Sequence, residues 1–268
     1  MEKTHKNIIS KLDIPEACKY YWNYQFELGA QYLVNELRSV GAFKSGDTVT
    51  EIGCGEGGVV CSFVEDGAGA GFGTDIDVGR IKIGEIIAKE LNLNIVFSEH
   101  DIINQEPAQD WKLASDLVIL RDVIEHLDDA QIALANIKKI IKPNGFLYVT
   151  FPPFHSAFGG HQHITESFAG NFPYIHLLPK KLFYAMLGKN SKNIGEVERI
   201  HEIRLTPKYF IQSAVSAGYE VCEENYYLIR TVFKLKYGLP PIKLNLFKFL
   251  PFMKKYFALE ASFLLRKK

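Results

Sequence analysis

Glu51, at the end of a β-branched and apolar run, leads directly into Gly53, Gly55, Gly57 and Gly58, with Cys54 and Glu56 between them. Glycines at that density let the chain bend sharply, in part at positive φ, and leave no Cβ between main chain and a bound nucleoside or its tail. Three carboxylates stand in line to hold such a ligand. Glu51 precedes the glycines, Asp75 follows them by about 20 residues, where nucleoside-binding α/β folds place an acid on the ribose hydroxyls, and Asp101 comes later. A second set of chemically capable residues is imidazole-bearing: His126 directly after Glu125, His161 and His163 in one short loop, and His201. Histidine is the side chain whose ordinary titration suits proton transfer near neutrality, so these residues are candidates to accept or orient an acceptor's proton. His161 and His163 also suggest metal chemistry, but a pair with no defined third ligand is more often not a site.

The elements that must position these groups alternate along the chain. Residues 47–50 read as a strand, 59–65 as a short helix, 70–77 as a second strand ending in acid and 94–102 as a third. Residues 115–122 form a fourth, Lys142-Pro143-Asn144-Gly145 a turn into a fifth ending at Thr150, and 219–229 and 257–265 the last two. Helical spacing marks 16–40, 78–93, 128–141 and 206–217, the last opening Thr206-Pro207 with proline at a favoured first turn. Such alternation predicts an α/β, doubly wound, mostly parallel sheet clothed by helices, with ligands at the carboxyl ends of its strands.

Two cofactor classes compete for the glycine turn. Gly53, Gly55 and Gly58 satisfy the G-x-G-x-x-G spacing of dinucleotide folds, but a pyrophosphate at the helix N-terminus would meet Glu51 and Glu56. Gly53, Gly55 and Gly57 after Glu51 also fit E/D-x-G-x-G-x-G, and through this motif the chain resembles class I S-adenosylmethionine-dependent methyltransferases. The branch it is similar to is that of small-molecule O-methyltransferases of the ubiquinone-biosynthesis type. The resemblance runs motif by motif over 47–145 and by element order over 206–265. It implies a seven-stranded Rossmann-like sheet whose last strand is antiparallel and slots between the fifth and sixth, with helical cap insertions. It also implies S-adenosyl-L-methionine as cofactor: Gly53, Cys54, Gly55 and Gly57 at the methionine end, Glu51 beside its ammonium, and Asp75 on the ribose. Ile76, Asp101 and Ile102 would meet the adenine, with Arg121 at the end of the fourth strand also in contact.

Further stretches carry partial likenesses. Asp122-x-x-Glu125-His126 resembles the E-x-x-E-H segment that holds a divalent cation in ubiquinone-biosynthesis O-methyltransferases, yet two hard oxygens and one imidazole make an incomplete shell, and no metal is assigned. His201-x-x-Arg204-x-Thr206 resembles the H-x-x-R-x-T lead into the substrate-proximal helix of small-molecule members. Phe151-Pro152-Pro153-Phe154 resembles the N-P-P-Y motif of amino-group methyltransferases only in part. It follows the fifth strand rather than the fourth and lacks the asparagine, so its prolines read as a rigid pocket wall.

Composition bounds the rest. The 268 residues are 47% hydrophobic and 23% charged, which suits a soluble globular chain with a full core. Lys plus Arg (31) balances Asp plus Glu (31), which disfavours a nucleic-acid partner. Cysteines without C-x-x-C spacing, a polar N-terminus and no bilayer-length apolar run make a reduced, cytoplasmic chain the expectation. The expected organisation is a helical cover over 1–45 and a methyltransferase domain over 46–268, with cap insertions at about 154–199 and 231–256 shaping the acceptor pocket. From Arg230 onward, ten basic residues face one acid, Glu260, and interleave with Phe233, Tyr237, Phe247, Phe249, Phe252 and Tyr256. That mixture suits peripheral membrane contact or a lipid-linked acceptor, and equally a pocket cover or homodimer face. The expected reaction is direct in-line methyl transfer, at oxygen, to a small-molecule or lipid-linked substrate. One rival is an NAD-dependent oxidoreductase, for which no catalytic half is visible; another is a catalytically silent nucleoside-binding module acting through its basic tail.

Overall fold

In a computed structural model, the structure describes residues 2–109, 111–244 and 251–268; Phe247, Lys248 and Phe249 of the basic aromatic stretch lie outside the described residues. The chain opens with helices α1 (Glu2–Ile9), α2 (Glu16–Leu28) and α3 (Val34–Ser39), the last two joined by a π-helical turn at Gly29–Leu33. There follow β1 (Thr48–Ile52), α4 (Gly58–Glu65), β2 (Ala70–Asp75), α5 (Val78–Glu90), β3 (Ile95–Glu99), β4 (Ser115–Arg121), α6 (Ala130–Ile140) and β5 (Ile141–Phe151). The remainder comprises α7 (Lys180–Leu187), α8 (Ile194–Ile203), α9 (Pro207–Ser216), β6 (Tyr219–Ile229), α10 (Val232–Tyr237), β7 (Ile242–Lys243), α11 (Pro251–Phe257) and β8 (Glu260–Lys267).

The strands form one sheet in the order β3-β2-β1-β4-β5-β8-β6-β7. β1 pairs in parallel with β2 and β4, and β2 with β3, so the tips of these strands point the same way. Leu117, Val118, Ile119 and Leu120 of β4 are all fully buried, the continuous apolar run of a strand covered on both faces. The fold is the doubly wound α/β sheet the sequence predicts, with β8 between β5 and β6 as expected. Two details differ. The sheet has an eighth strand, because the second cap insertion returns Ile242 and Lys243 to pair antiparallel with β6. β8 also begins later than expected, because Pro251–Phe257 winds into α11 first.

The chain divides into two compact units. One comprises the chain up to Arg121 together with Ala135–Tyr148 and Arg266–Lys268; the other comprises Asp122–Leu134 and Val149–Leu265. The N-terminal helices fall in the first unit. Their π-helical turn has a glycine for a steric reason: a Cβ on Gly29 would lie 1.9 Å from Ser62 Oγ on α4. Trp22, Phe26, Val60, Cys61, Ile81 and Phe97 pack this unit's core. In the second unit, Phe151, Phe210 and Phe263 form one ring cluster, with centroids 4.8–5.8 Å apart. Phe183, Leu187 and Val197 anchor another under the first cap insertion. Among the described residues, no helix is long and apolar enough to cross a membrane.

Candidate active site

The cofactor-side residues belong to the first unit. β1 ends at Ile52, and Gly53, Gly55 and Gly57 then take φ of 68°, 56° and 77°, a conformation that side chains resist. Gly57 is the left-handed cap from which α4 starts. Cys54 contributes main chain rather than thiol: its amide donates to Thr74 O at 2.9 Å, and burial drives the thiol well above its ordinary pKa. At the tip of β2, Asp75 Oδ2 accepts from Gly55 N at 2.7 Å and Oδ1 from Asp77 N at 2.9 Å. A carboxylate and a glycine turn 20 residues apart are thus brought into one hydrogen-bonded rim.

Glu51 lies beneath this rim, 5% exposed, with Oε2 accepting from Val60 N at 2.9 Å in α4. Burial pushes its carboxyl up to about 8 from 4.5, against the pull of the Val60 hydrogen bond and of nearby Arg121. Arg121 in turn donates to Gln25 Oε1 of α2 at 2.7 Å. A buried acid below a turn of glycine backbone fits a small cationic group, and Glu51, Asp75 and the glycine turn are the residues able to hold an amino-acid-bearing nucleoside. Ile76, next beyond Asp75, is 71% exposed and offers open apolar surface to a base.

The adenine assignments fare differently. β3 stops at Glu99, short of the expected 102, and Asp101 caps the turn that follows. Its Oδ1 accepts from Ile103 N and Asn104 N at 2.9 and 3.1 Å and its Oδ2 from Asn104 Nδ2 at 2.8 Å; the Asn104 side chain first of all holds its carboxyl below the ordinary range. Ile102 is 4% exposed and its carbonyl accepts from Asn136, so its side chain is core rather than ligand surface.

Arg80 escaped the sequence reading. From the first turn of α5 its Nη2 donates to Glu56 Oε2 at 2.6 Å, and a Cβ on Gly55 would lie 2.3 Å from the same nitrogen. The guanidinium therefore rests against the glycine turn, and Glu56, counted in the sequence as an anion facing the ligand, is already paired. The available signal was an arginine five positions past the strand-end acid, which a helix beginning at Val78 turns back toward that strand's tip.

The imidazoles belong to the second unit. Asp122, at φ 52°, turns the chain into a 3-10 turn at Ile124–His126. His126 Nδ1 lies 2.6 Å from Glu196 Oε1, which leaves His126 Nε2 3.9 Å from Glu125 Oε1. His161 Nε2 comes within 3.9 Å of the same oxygen, and one ligand atom from each of Glu125, His126 and His161 lies within 4.8 Å of the others. His163 stacks on His161 with ring centroids 5.8 Å apart. Asp122, the first acid of the motif in sequence, is not part of this cluster. It pairs with Arg230, whose Nε also donates to Glu260 Oε2 at 3.0 Å. One carboxylate and two imidazoles suit a borderline divalent ion such as zinc better than magnesium or calcium.

Burial corrects the roles expected of two histidines. It pushes His161 down to about 3, and lowers His163 in the same direction, so His161 is a neutral imidazole at pH 7 and too weak to keep an acceptor's proton. His201 is 4% exposed, with Nε2 2.9 Å from His176 O, Nδ1 3.4 Å from Arg204, and its ring stacked on Phe183 at 5.3 Å. Both nitrogens are engaged inside the core, which gives His201 a packing role rather than a place on an acceptor.

Residues 43–198, from the approach to β1 into α8, match the methyltransferase domain family. The chain belongs to that family. It is an S-adenosylmethionine-dependent methyltransferase, and S-adenosylmethionine is its cofactor. The methyltransferase is similar to the ubiquinone biosynthesis O-methyltransferase of Photorhabdus laumondii, at 24% identity over 135 residues, 48% of this chain and 54% of that one. It spans about half the length of the curated relatives it matches. Among solved structures, it resembles an S-adenosylmethionine dependent methyltransferase from Mesorhizobium loti, with TM-score 0.57, 12% identity, and coverage of 90% of this chain and 100% of that one. It resembles the 4+2 cyclase SpnF with TM-score 0.55 and 16% identity, covering 88% and 79%. At such identities these structures establish the fold of the methyltransferase alone.

Proposed function

We propose that the protein moves the methyl group of S-adenosylmethionine to an oxygen of a small-molecule or lipid-linked acceptor. The observation that carries the reading is the set of Glu51, Asp75 and the glycine turn, where a buried acid and a strand-tip carboxylate both bond to the backbone that follows β1. A sulfonium methyl is activated by its own charge, so the protein's part is to hold a nucleophile in line and exclude water. The neutral His161 ring accepts a hydrogen bond from the acceptor hydroxyl and orients its oxygen. His126, aligned by Glu196 and beside Glu125, takes the departing proton. The similarity to ubiquinone O-methyltransferases favours oxygen over nitrogen or carbon. The Glu196–His126 bond favours a second reading of the same cluster, in which Glu125, His126 and His161 hold a divalent ion that would polarise the acceptor oxygen, because a carboxylate behind a histidine is the usual way a metal ligand is oriented.

Incubation with methyl-labelled S-adenosylmethionine and a metabolite and lipid extract should yield a labelled ether or ester. Replacement of His161 and His163 together by Gln should slow turnover about tenfold or more while leaving affinity for S-adenosylhomocysteine unchanged. Full activity in that variant removes the histidines from the reaction, and loss of turnover on exhaustive chelation selects the metal reading. No labelled product from any extract would favour the silent nucleoside-binding module.

Glu51 gives the cofactor side its own test. Its carboxyl, raised to about 8, is protonated at neutral pH in the protein alone, so an incoming ammonium must displace a proton. Affinity for S-adenosylhomocysteine should therefore rise between about pH 6 and pH 8, by less than tenfold per unit, and level off above. Calorimetry in buffers of different ionisation heat should detect proton release that Glu51→Gln abolishes. The folded protein shows the opposite trend: the group's contribution to stability is present in acid and is lost as pH rises from 4.5 through about 8. Affinity independent of pH in this window, with no proton released, removes Glu51 from the ammonium.

A further inference from the structure

We infer that the second unit carries a binding site for a phosphate monoester, separate from the Glu125–His126–His161 cluster. A cavity of about 440 Å³ opens among His155, Thr206, Lys208, Tyr226, Lys254 and Lys255. Its three cations come from two elements: Lys208 from the first turn of α9, and Lys254 and Lys255 from α11. The ammonium groups of the last two are held over aromatic rings, Lys254 at 4.7 Å from the centre of Tyr226 and Lys255 at 5.0 Å from that of Tyr256. An ammonium over a ring keeps the donors that point away from the ring available to a further acceptor. Glu224, 3.8 Å from Lys254, is the acid near this group. Arg204, whose Nε donates to His201 O at 2.8 Å, adds positive charge beside His155; after burial itself, Lys255 and Arg204 push the His155 imidazole down.

The helix geometry adds directed donors to this charge. Thr206 caps α9 with its hydroxyl accepting from Tyr209 N at 3.2 Å, and Pro207 has no amide hydrogen. The Lys208 amide that follows is a first-turn donor with no carbonyl to meet inside the helix, at the positive end of its dipole. Three point-charge lysines around such an amide, with aromatic and proline wall beside them, match the charge and acceptor oxygens of a phosphate monoester carrying an apolar or polyol remainder. The volume suits a small molecule or one lipid headgroup. The basic aromatic stretch thereby acquires a more specific role than lying flat on a membrane, because Lys254 and Lys255 converge on Lys208 from a different part of the chain.

The test uses the full chain, with glycerol 3-phosphate in solution and vesicles of phosphatidylcholine with or without phosphatidic acid. Calorimetry should show binding of glycerol 3-phosphate that weakens about tenfold for each of Lys208→Gln, Lys254→Gln and Lys255→Gln, and that is unmoved by Lys181→Gln at an exposed position of α7. Sedimentation with phosphatidic acid vesicles but no response to glycerol 3-phosphate, again lost in the lysine variants, assigns the same site to a lipid headgroup. No binding to either probe, equal binding to plain phosphatidylcholine, or binding that survives the triple Lys-to-Gln variant overturns the proposal. Thermal unfolding and near-ultraviolet circular dichroism measured in parallel show that the second unit of each variant is folded, and methyl transfer is not needed for any of the readings.

Discussion

Arg230→Met is expected to lower the stability of the protein by about 3 kcal/mol, among the largest effects of any single substitution away from the cofactor turn. Arg230 is 17% exposed and bridges Asp122, on the turn after β4, to Glu260, the first residue of β8, whose side chain is 6% exposed. Methionine keeps most of the volume and removes the charge. Glu260 is then left buried without the guanidinium, a situation in which breaking an ion pair costs far more than never having made it, while Asp122, 35% exposed, can turn to water. The sign with pH follows from the charge left behind. Acid should recover part of the loss in the variant, since protonating Glu260 removes the buried charge. Urea unfolding at about pH 7 and about pH 5 measures both effects. A functional consequence should accompany the structural one, because the turn that Arg230 fixes through Asp122 also carries Glu125 and His126. Turnover should fall in Arg230→Met while S-adenosylhomocysteine affinity, which depends on first-unit residues, stays near that of the parent. An unchanged urea midpoint would show that water already compensates the pair.

Gly57→Ala should cost a similar amount, about 3 kcal/mol, for a different reason. At φ 77° an L side chain is strained, and an added Cβ would lie 2.4 Å from Cε1 and 2.5 Å from Cζ of Phe97. Phe97 is 8% exposed and packs with Val60 and Ile81, so its ring has little room to retreat. Gly55→Ala provides the contrast. There the added carbon meets the far end of Arg80, a side chain 42% exposed that can swing outward, and the loss should be nearer 1 kcal/mol. Combining Gly57→Ala with Phe97→Leu should recover part of the loss, a coupling that a purely conformational effect of Gly57 would not show. Thermal unfolding of the parent, Gly57→Ala, Phe97→Leu and the double variant, with Gly55→Ala beside them, decides it.

The doubly wound sheet and its glycine turn do not by themselves name the acceptor. One doubly wound sheet with a glycine turn presents a nucleoside; what is done with it depends on side chains elsewhere in the chain. The Glu125, His126 and His161 group is the cluster proposed for that part, and replacing it tests the proposal more sharply than any comparison of folds.

What the sequence alone determined is what short stretches of chain decide locally. Alternating glycines after an apolar run demand positive φ whatever surrounds them, apolar runs bounded by acids become parallel strands with those acids at their tips, and Thr206-Pro207 starts a helix by its own hydrogen bond. The places of Glu51, Asp75 and the glycine turn at strand ends were legible for that reason, whereas the slot of β8 between β5 and β6 was what the family resemblance implied. Tertiary structure alone decided which partner each polar atom met. Asp122 left the motif it belongs to in sequence for Arg230, more than a hundred residues on. His161 took its place beside Glu125, His201 turned into an aromatic core, Arg80 came down on the glycine turn, and three lysines from two helices came to line one cavity. None of these follows from spacing, because the energy of a buried charge or ring nitrogen is set by groups that only the packed chain brings within reach.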